Sequence, residues 1–211
     1  PENLWPVEGM MLNQKEESTD ELFQAEVISP KLNLNQVSLV ENHPIMRLLV
    51  YYHEDYEKLR RSMAWLNRLA ARCKKKLGSI TGPLTREELI DAELTIIRWV
   101  QSVAYEDELN ALKNGTSIKR SSSLLKLNPQ LRNDVIVVGG RLQHALIPES
   151  QKHPIIIPKK HLLSKAILSH YHRRAHLGSD WVLTQVKEKY HIPGARSMLR
   201  SIRKTCVRCN R

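Results

Sequence analysis

The sequence predicts a mainly α protein: a long helical hairpin, then a small two-stranded β element, then a module of three short helices. Three observations predict it. Apolar residues recur every three or four positions between Pro44 and Leu112. Two β-branched runs follow, Val135-Ile136-Val137-Val138 and Ile155-Ile156-Ile157. A helical period then returns from His161 and is interrupted at Gly178 and at Pro193-Gly194. These changes divide the chain into a lead-in over residues 1–40, a hairpin region over 41–131, a β element over 132–158 and a C-terminal module over 159–211.

The lead-in shows no sustained period, and Glu16, Glu17, Asp20 and Glu21 give it an acidic, extended character. At most a short strand fits around Ala25–Ser29. From a corner at Asn42-His43-Pro44, the residues Leu48, Leu49, Tyr52, Tyr56, Leu59, Met63, Leu66, Leu69 and Ala70 fall on one face of a long helix. Lys74, Lys75 and Lys76 stand in its last turn, where the helix dipole favours cations, and Gly78 ends it. Thr85-Arg86-Glu87-Glu88 has the spacing of a capping box, in which Thr85 accepts from the amide of Glu88 and Glu88 reaches back. The helix it starts carries Leu89, Ala92, Leu94, Ile96, Ile97, Val100, Val103, Ala104, Leu109 and Leu112, and ends by Gly115. The two helices form an antiparallel hairpin with Trp65 and Trp99 in its core and its carboxylates on the solvent face. Nothing in this half points to chemistry, and Cys73 reads as an ordinary helix residue.

Leu124–Asn128 is a short helix or strand, and Ser117–Ser123 a polar connector. Val135–Val138 runs into Gly139-Gly140 as a strand, and the proline-fenced Ile155–Ile157 is its partner. The double glycine lacks the Lys-Ser/Thr pair and following helix of a phosphate loop. In the last module the first helix carries Leu162, Leu163, Ala166, Ile167, Tyr171 and Ala175 and stops at Gly178. Ser179 or Asp180 caps the second, which carries Trp181, Val182, Leu183, Val186 and Tyr190. The third, Ala195–Lys204, bears Met198, Leu199 and Ile202 and delivers the chain to Cys206 and Cys209.

That module contains the sequence's one ligand constellation: His172, His176, Cys206 and Cys209. Histidines at i and i+4 share a helix face, and a Cys-x-x-Cys turn brings two sulfurs to one point. Together they supply the four N/S donors of a closed tetrahedral Zn2+ site, whose role is folding rather than catalysis. A bare Cys-x-x-Cys is also a redox motif, but paired histidines favour metal. His170 is a rival first ligand; six residues from His176, it would point to a different side of the helix, which favours His172.

Charge is concentrated in the same place. Residues 159–211 hold 13 Lys/Arg against Asp180 and Glu188, whereas residues 1–158 balance to zero. A patch this basic attracts phosphates. The candidates for DNA contact are Arg173, Arg174, Lys187, Lys189, Arg196, Arg200, Arg203 and Lys204, with Arg200→Glu or Arg203→Glu expected to weaken DNA binding without releasing metal. No apolar run approaches a membrane span, and PENLWPVEGMM has neither the basic start nor the apolar core of a signal peptide. Three cysteines make no disulfide framework, so a reducing compartment, cytoplasm or nucleus, is expected rather than secretion.

The run VVGGRLQHALIPESQKHPIIIPKKHLL, followed by HYHRRAHLGSDWVLTQVKEKYHIPGARSMLRSIRKTCVRCNR, resembles the zinc-binding (HHCC, or H2C2) region of retroelement integrases. VGGRL and HPIIIP resemble the BEL/Pao group of LTR retrotransposons in particular. The preceding LRRSMAWLNRLA and ELIDAELTIIRWVQ are similar to the segment between RNase H and integrase in the Pol polyproteins of that group. The resemblance implies that His172, His176, Cys206 and Cys209 ligate zinc, and that the module supports integrase multimerisation and contacts the element's DNA ends during DNA integration. Tyr190-His191 departs from the aromatic pair usual before the Ile-Pro of the family, and the His-to-His spacing is tight for it. The integrase reaction needs a carboxylate cluster for two metals, in a domain that would follow the zinc module. Asp180 and Glu188 cannot replace it, so no catalytic residue is assigned and no strand-transfer or nuclease activity is expected of this polypeptide.

Overall fold

The computed structural model describes residues 43–52, 55–73, 82–140, 142 and 144–211. The lead-in over 1–40, its short strand, and the lysines and Gly78 expected to close the first helix lie outside the described residues. His43 opens the fold as an N-cap: its Nδ1 accepts the amide of Ile45 at 3.2 Å, and Pro44 follows where a missing N–H does no harm. The expected long helix is two helices, α1 (Pro44–Tyr51) and α2 (Tyr56–Cys73). The break has a local cause. Asp55 Oδ1 accepts the amide of Lys58 at 3.1 Å and so caps a new helix where the apolar period alone runs on unbroken.

Tyr56, Leu59, Met63 and Ala64 of α2 are buried as their spacing requires, but Trp65, Leu66 and Leu69 are not; Trp65 is 51% and Leu69 56% exposed. Arg68 takes the inward place instead. Its Nε and Nη2 reach Glu88 at 2.7 and 2.5 Å, and it also donates to the carbonyls of Gly82 (2.9 Å) and Pro83 (3.2 Å). Arg68 first, and then the amide of Thr85, hold the Glu88 carboxyl down at about 2. Glu88 thus closes the hairpin and completes the capping box of α3 (Arg86–Ala104), in which both reciprocal bonds form. Trp99 stacks on His43 at 4.8 Å. The second expected helix also divides, at Tyr105, into α3 and α4 (Glu106–Lys113).

A 3-10 turn at Leu125–Leu127 leads into β1 (Gln130–Arg132) and β2 (Val135–Val137). Then come the single turn α5 (Glu149–Lys152), β3 (Ile155–Ile156), α6 (Leu162–Ala175), α7 (Ser179–Lys187), β4 (Tyr190–His191) and α8 (Ala195–Thr205). The expected strand pair is real, with Val137 opposite Ile155 antiparallel, but it is the centre of a four-stranded sheet ordered β1-β2-β3-β4. β4 joins parallel to β3 with Ile155 beside Tyr190. Tyr190 therefore belongs to a strand, not to the second module helix. Gly139 is required where β2 leaves the sheet, because a Cβ there would stand 2.2 Å from the Asn128 carbonyl oxygen.

Successive strand residues feed two cores. Val135 and Val137 face the main cluster, while Ile136 and Ile156 join Leu109 and Leu124 in a smaller one. The main cluster is continuous from Leu49, Leu59 and Ile96 of the hairpin to Leu163, Ile167, Val186 and Leu199 of the C-terminal helices. Gln101, fully buried on α3, ties helix to sheet. Its amide donates to the carbonyls of Ile136 (2.9 Å) and Ile156 (2.7 Å), and its Oε1 accepts the Ile136 amide (2.7 Å). Gln101→Leu leaves three buried backbone groups unpaired and is expected to lower stability by about 2–3 kcal/mol. Urea denaturation checks this; an unchanged midpoint would mean that those groups find other partners.

Glu93 corrects the expectation that the hairpin's carboxylates face solvent. It is 2% exposed, accepts from Tyr190 Oη at 2.5 Å and pairs with Lys189 and, at 3.6 Å, Arg60. Tyr190 Oη in turn meets Tyr56 Oη at 2.9 Å. One polar chain thereby links α2, α3 and β4 inside the shared core.

Candidate metal centre

Helix α6 begins at His161, whose ring nitrogen accepts the Leu163 amide at 3.1 Å. It ends not at Gly178 but at His176, which is itself the C-cap, in the left-handed conformation (φ 49°), with its amide bonded to the His172 carbonyl at 2.8 Å. Gly178 instead precedes α7, and neither Ser179 nor Asp180 caps that helix with its side chain. The cap geometry turns the His176 ring back towards His172, and the two centroids are 4.9 Å apart.

Helix α8 brings the thiols from the other side. At its end the chain turns so that the amides of Cys209 and Asn210 both reach the Cys206 carbonyl. Cys206 Sγ stands 3.3 Å from His176 Nδ1; Cys209 Sγ stands 3.5 Å from His172 Nε2 and 3.8 Å from His176 Nδ1. The four donor atoms all lie within 4.8 Å of one another. With Zn–S near 2.3 Å and Zn–N near 2.05 Å, a tetrahedron has N···S edges of about 3.5 Å. The three N···S separations, 3.3 to 3.8 Å, lie close to that edge, and the four residues form a group that could hold a metal ion. His170 takes no part: it sits 3.7 Å from Glu57, with its ring against Tyr56.

The electrostatics favour a neutral His172 and ease ionisation of Cys206. Burial, reinforced by His176, Arg203 and Arg173, keeps the His172 pKa below its usual value. Burial works against ionising Cys206, but the amides of Cys209 and Arg208 and the Arg208 charge outweigh it and hold this thiol low. Burial and the Cys206 hydrogen bond push Cys209 up, against Arg203. His172 Nδ1 is buried with no hydrogen-bond partner among the described residues, so the supporting acceptor common behind metal-bound histidines is not found there.

The cations of the module are not equivalent. Arg173, Arg174, Lys187, Arg200 and Lys204 are exposed. Arg196, also exposed, pairs with Asp180 at 2.7 Å. Lys189 is committed to buried Glu93. Arg203 is turned inward: it donates to Ser179 Oγ at 2.9 Å and lies against Cys209, so reversing its charge would disturb the centre itself. Trp181, expected on the inner face of α7, is 42% exposed, and Leu177 and Val207 of the same module are exposed as well. Sequence periodicity missed Glu93, Gln101 and the inward role of Arg203, because their partners lie elsewhere in the chain.

Acid should weaken this half of the molecule. Burial pushes His161, the cap of α6, down to about 4 from an ordinary 6.5. A folded pKa below the unfolded one means that the unfolded chain takes the proton first. The stabilisation is whole above about pH 6.5 and is lost as pH falls towards 4. Thermal melts across that range should show the decline, and His161→Asn, a cap that does not titrate, should flatten it. An unaltered pH profile in the variant would remove His161 as the cause.

Residues 159–211 match the family model of the integrase zinc binding domain, and the match is confined to that quarter of the chain. No curated protein and no solved structure matches the chain.

Proposed function

We propose that residues 159–211 hold a structural Zn2+ through His172, His176, Cys206 and Cys209 and form the DNA-binding and multimerisation module of an integrase of BEL/Pao retrotransposon type. The observation that carries the reading is the convergence of four N/S donors within 4.8 Å of one another. With all four positions filled by protein, the ion contributes folding energy and no open site for chemistry. The exposed cations Arg173, Arg174, Lys187, Arg200 and Lys204 supply the phosphate contacts. A nuclear or cytoplasmic location accords with two reduced thiols as ligands.

Metal analysis of the purified chain should find one zinc per molecule, lost in His172→Ala. Binding to a short DNA duplex should weaken steeply with salt, and Arg200→Glu should reduce affinity about tenfold and lower the log–log salt slope by about 0.9. Absence of zinc rejects the site; affinity indifferent to salt rejects the DNA role. Exposed Leu177, Trp181 and Val207 favour a second reading, a zinc-stabilised protein-interaction module without DNA contacts. Self-association unchanged by DNA, with weak and salt-insensitive DNA binding, would favour it.

A further inference from the structure

Helix α8 grips the start of α7 with two arginines that do different work. Arg196 pairs with Asp180 at the surface, whereas Arg203 donates to Ser179 Oγ from a half-buried position. Arg203 is the one arginine of α8 that is not exposed, because it stands a helical turn beyond the buried Leu199 on the same face. Unlike Arg196 and Lys189, it has no carboxylate partner among the described residues. Its Nε is buried without a hydrogen-bond partner there. Three buried side-chain atoms are orphaned in this way among the described residues, and a second of them is Nδ1 of the adjoining His172.

A buried donor left unpaired is costly, so the orphan asks for an acceptor. The guanidinium lies against Cys209. A thiol accepts hydrogen bonds weakly, but a thiolate bound to a divalent ion keeps lone pairs and negative charge and takes a charge-assisted bond. Loading the centre therefore supplies what Arg203 Nε lacks. Ser179 holds another edge of the planar fork, which keeps the guanidinium beside the sulfur at little cost in side-chain freedom.

We infer that Arg203 is a positioning residue of the metal centre: it donates to the metal-bound sulfur of Cys209 and, through Ser179, ties retention of the ion to the seating of α7 on α8. The inference rests on the reading of His172, His176, Cys206 and Cys209 as zinc ligands. It removes Arg203 from the cations available to phosphate and leaves that role to the exposed Arg200 and Lys204 of the same helix. Groups that support a ligand in this way commonly change metal affinity by about 10–100-fold.

The test uses the full chain. Loaded with NMR-active cadmium, it should show an Arg203 Nε–H proton protected from exchange and coupled to the metal's spin through the sulfur. Loaded with zinc, Arg203→Gln should surrender the ion to a chelator about tenfold faster than the unaltered chain. Arg203→Lys keeps the charge but not the fork, so it should speed transfer by less, and it carries the test if the glutamine variant does not fold. Ser179→Ala should also speed transfer. Arg200→Gln should leave transfer unchanged and lower the salt slope of DNA binding, which Arg203→Gln should leave as it is. Absent coupling together with an unchanged transfer rate overturns the inference while the zinc reading stands. So does a salt slope lowered in Arg203→Gln as in Arg200→Gln. A chain that binds no zinc rejects the ligand reading and this inference with it.

Discussion

Removing the metal by chelation, or replacing His172 by Ala or Cys206 by Ser, is expected to unfold the described chain in one transition, hairpin included. The sequence alone suggests a milder outcome, in which residues 159–211 unfold and the hairpin stays helical. The packing argues otherwise. Leu163, Ala166 and Ile167 of α6 lie in the same apolar cluster as Leu49, Tyr56 and Leu59 of α1 and α2, so loosening α6 opens the hairpin's core to water. A structural zinc contributes on the order of 10 kcal/mol to the domain that binds it, comparable to the roughly 5–15 kcal/mol that keeps most proteins folded. Far-UV circular dichroism during chelation, followed by urea titration of each variant, measures the effect. Retention of the hairpin's share of the helical signal would show that it stands alone. Cys73→Ser, at an exposed thiol away from the centre, should change stability by less than about 0.5 kcal/mol.

Glu93→Ala should be the most damaging substitution away from the metal, at about 3 kcal/mol. The carboxylate is buried among Tyr190, Lys189 and Arg60, and its removal leaves a phenol and two cations facing an apolar core. Lys189 and Arg60 retain some access to water and can turn outward, which places the figure at the low end for a broken buried pair. Tyr190→Phe should cost less, about 1–2 kcal/mol, since it removes hydroxyl contacts and no charge. The two changes share one network, so the double variant should lose less than the sum of the singles. Additive losses in chemical denaturation would show that the Tyr56–Tyr190–Glu93 chain is not a coupled unit.

The features legible in the sequence are those whose causes lie within a few residues. The Thr85–Glu88 capping box, the corner at His43, the central strand pair and α8 all form within a residue or two of where local pattern puts them. The cluster of His172, His176, Cys206 and Cys209 is legible because Cys-x-x-Cys and His-x-x-x-His each fix their own geometry, leaving only their convergence to the fold. Features set by distant partners were not. Glu93 follows the surface pattern of any exposed helix glutamate, and the tyrosine that buries it lies 97 residues away. β4 is two residues long and pairs parallel with β3, so it has no period to detect. Trp65, Leu66 and Leu69 keep a helical period but face outward, because Arg68 with Glu88 occupies the inner position.

The two imidazoles face the centre through different nitrogens, His172 through Nε2 and His176 through Nδ1. Nδ1 sits one bond beyond the ring carbon attached to Cβ, so a donor there reaches little farther than a cysteine sulfur; Nε2 extends across the whole ring. The two positions should therefore differ in which replacements they tolerate. His176→Cys should still hold cobalt with the intense visible bands of a three-thiolate tetrahedral complex, whereas His172→Cys should leave its sulfur short of the ion and the bands weak. Equal spectra from the two variants would show that the backbone can shift to serve either donor.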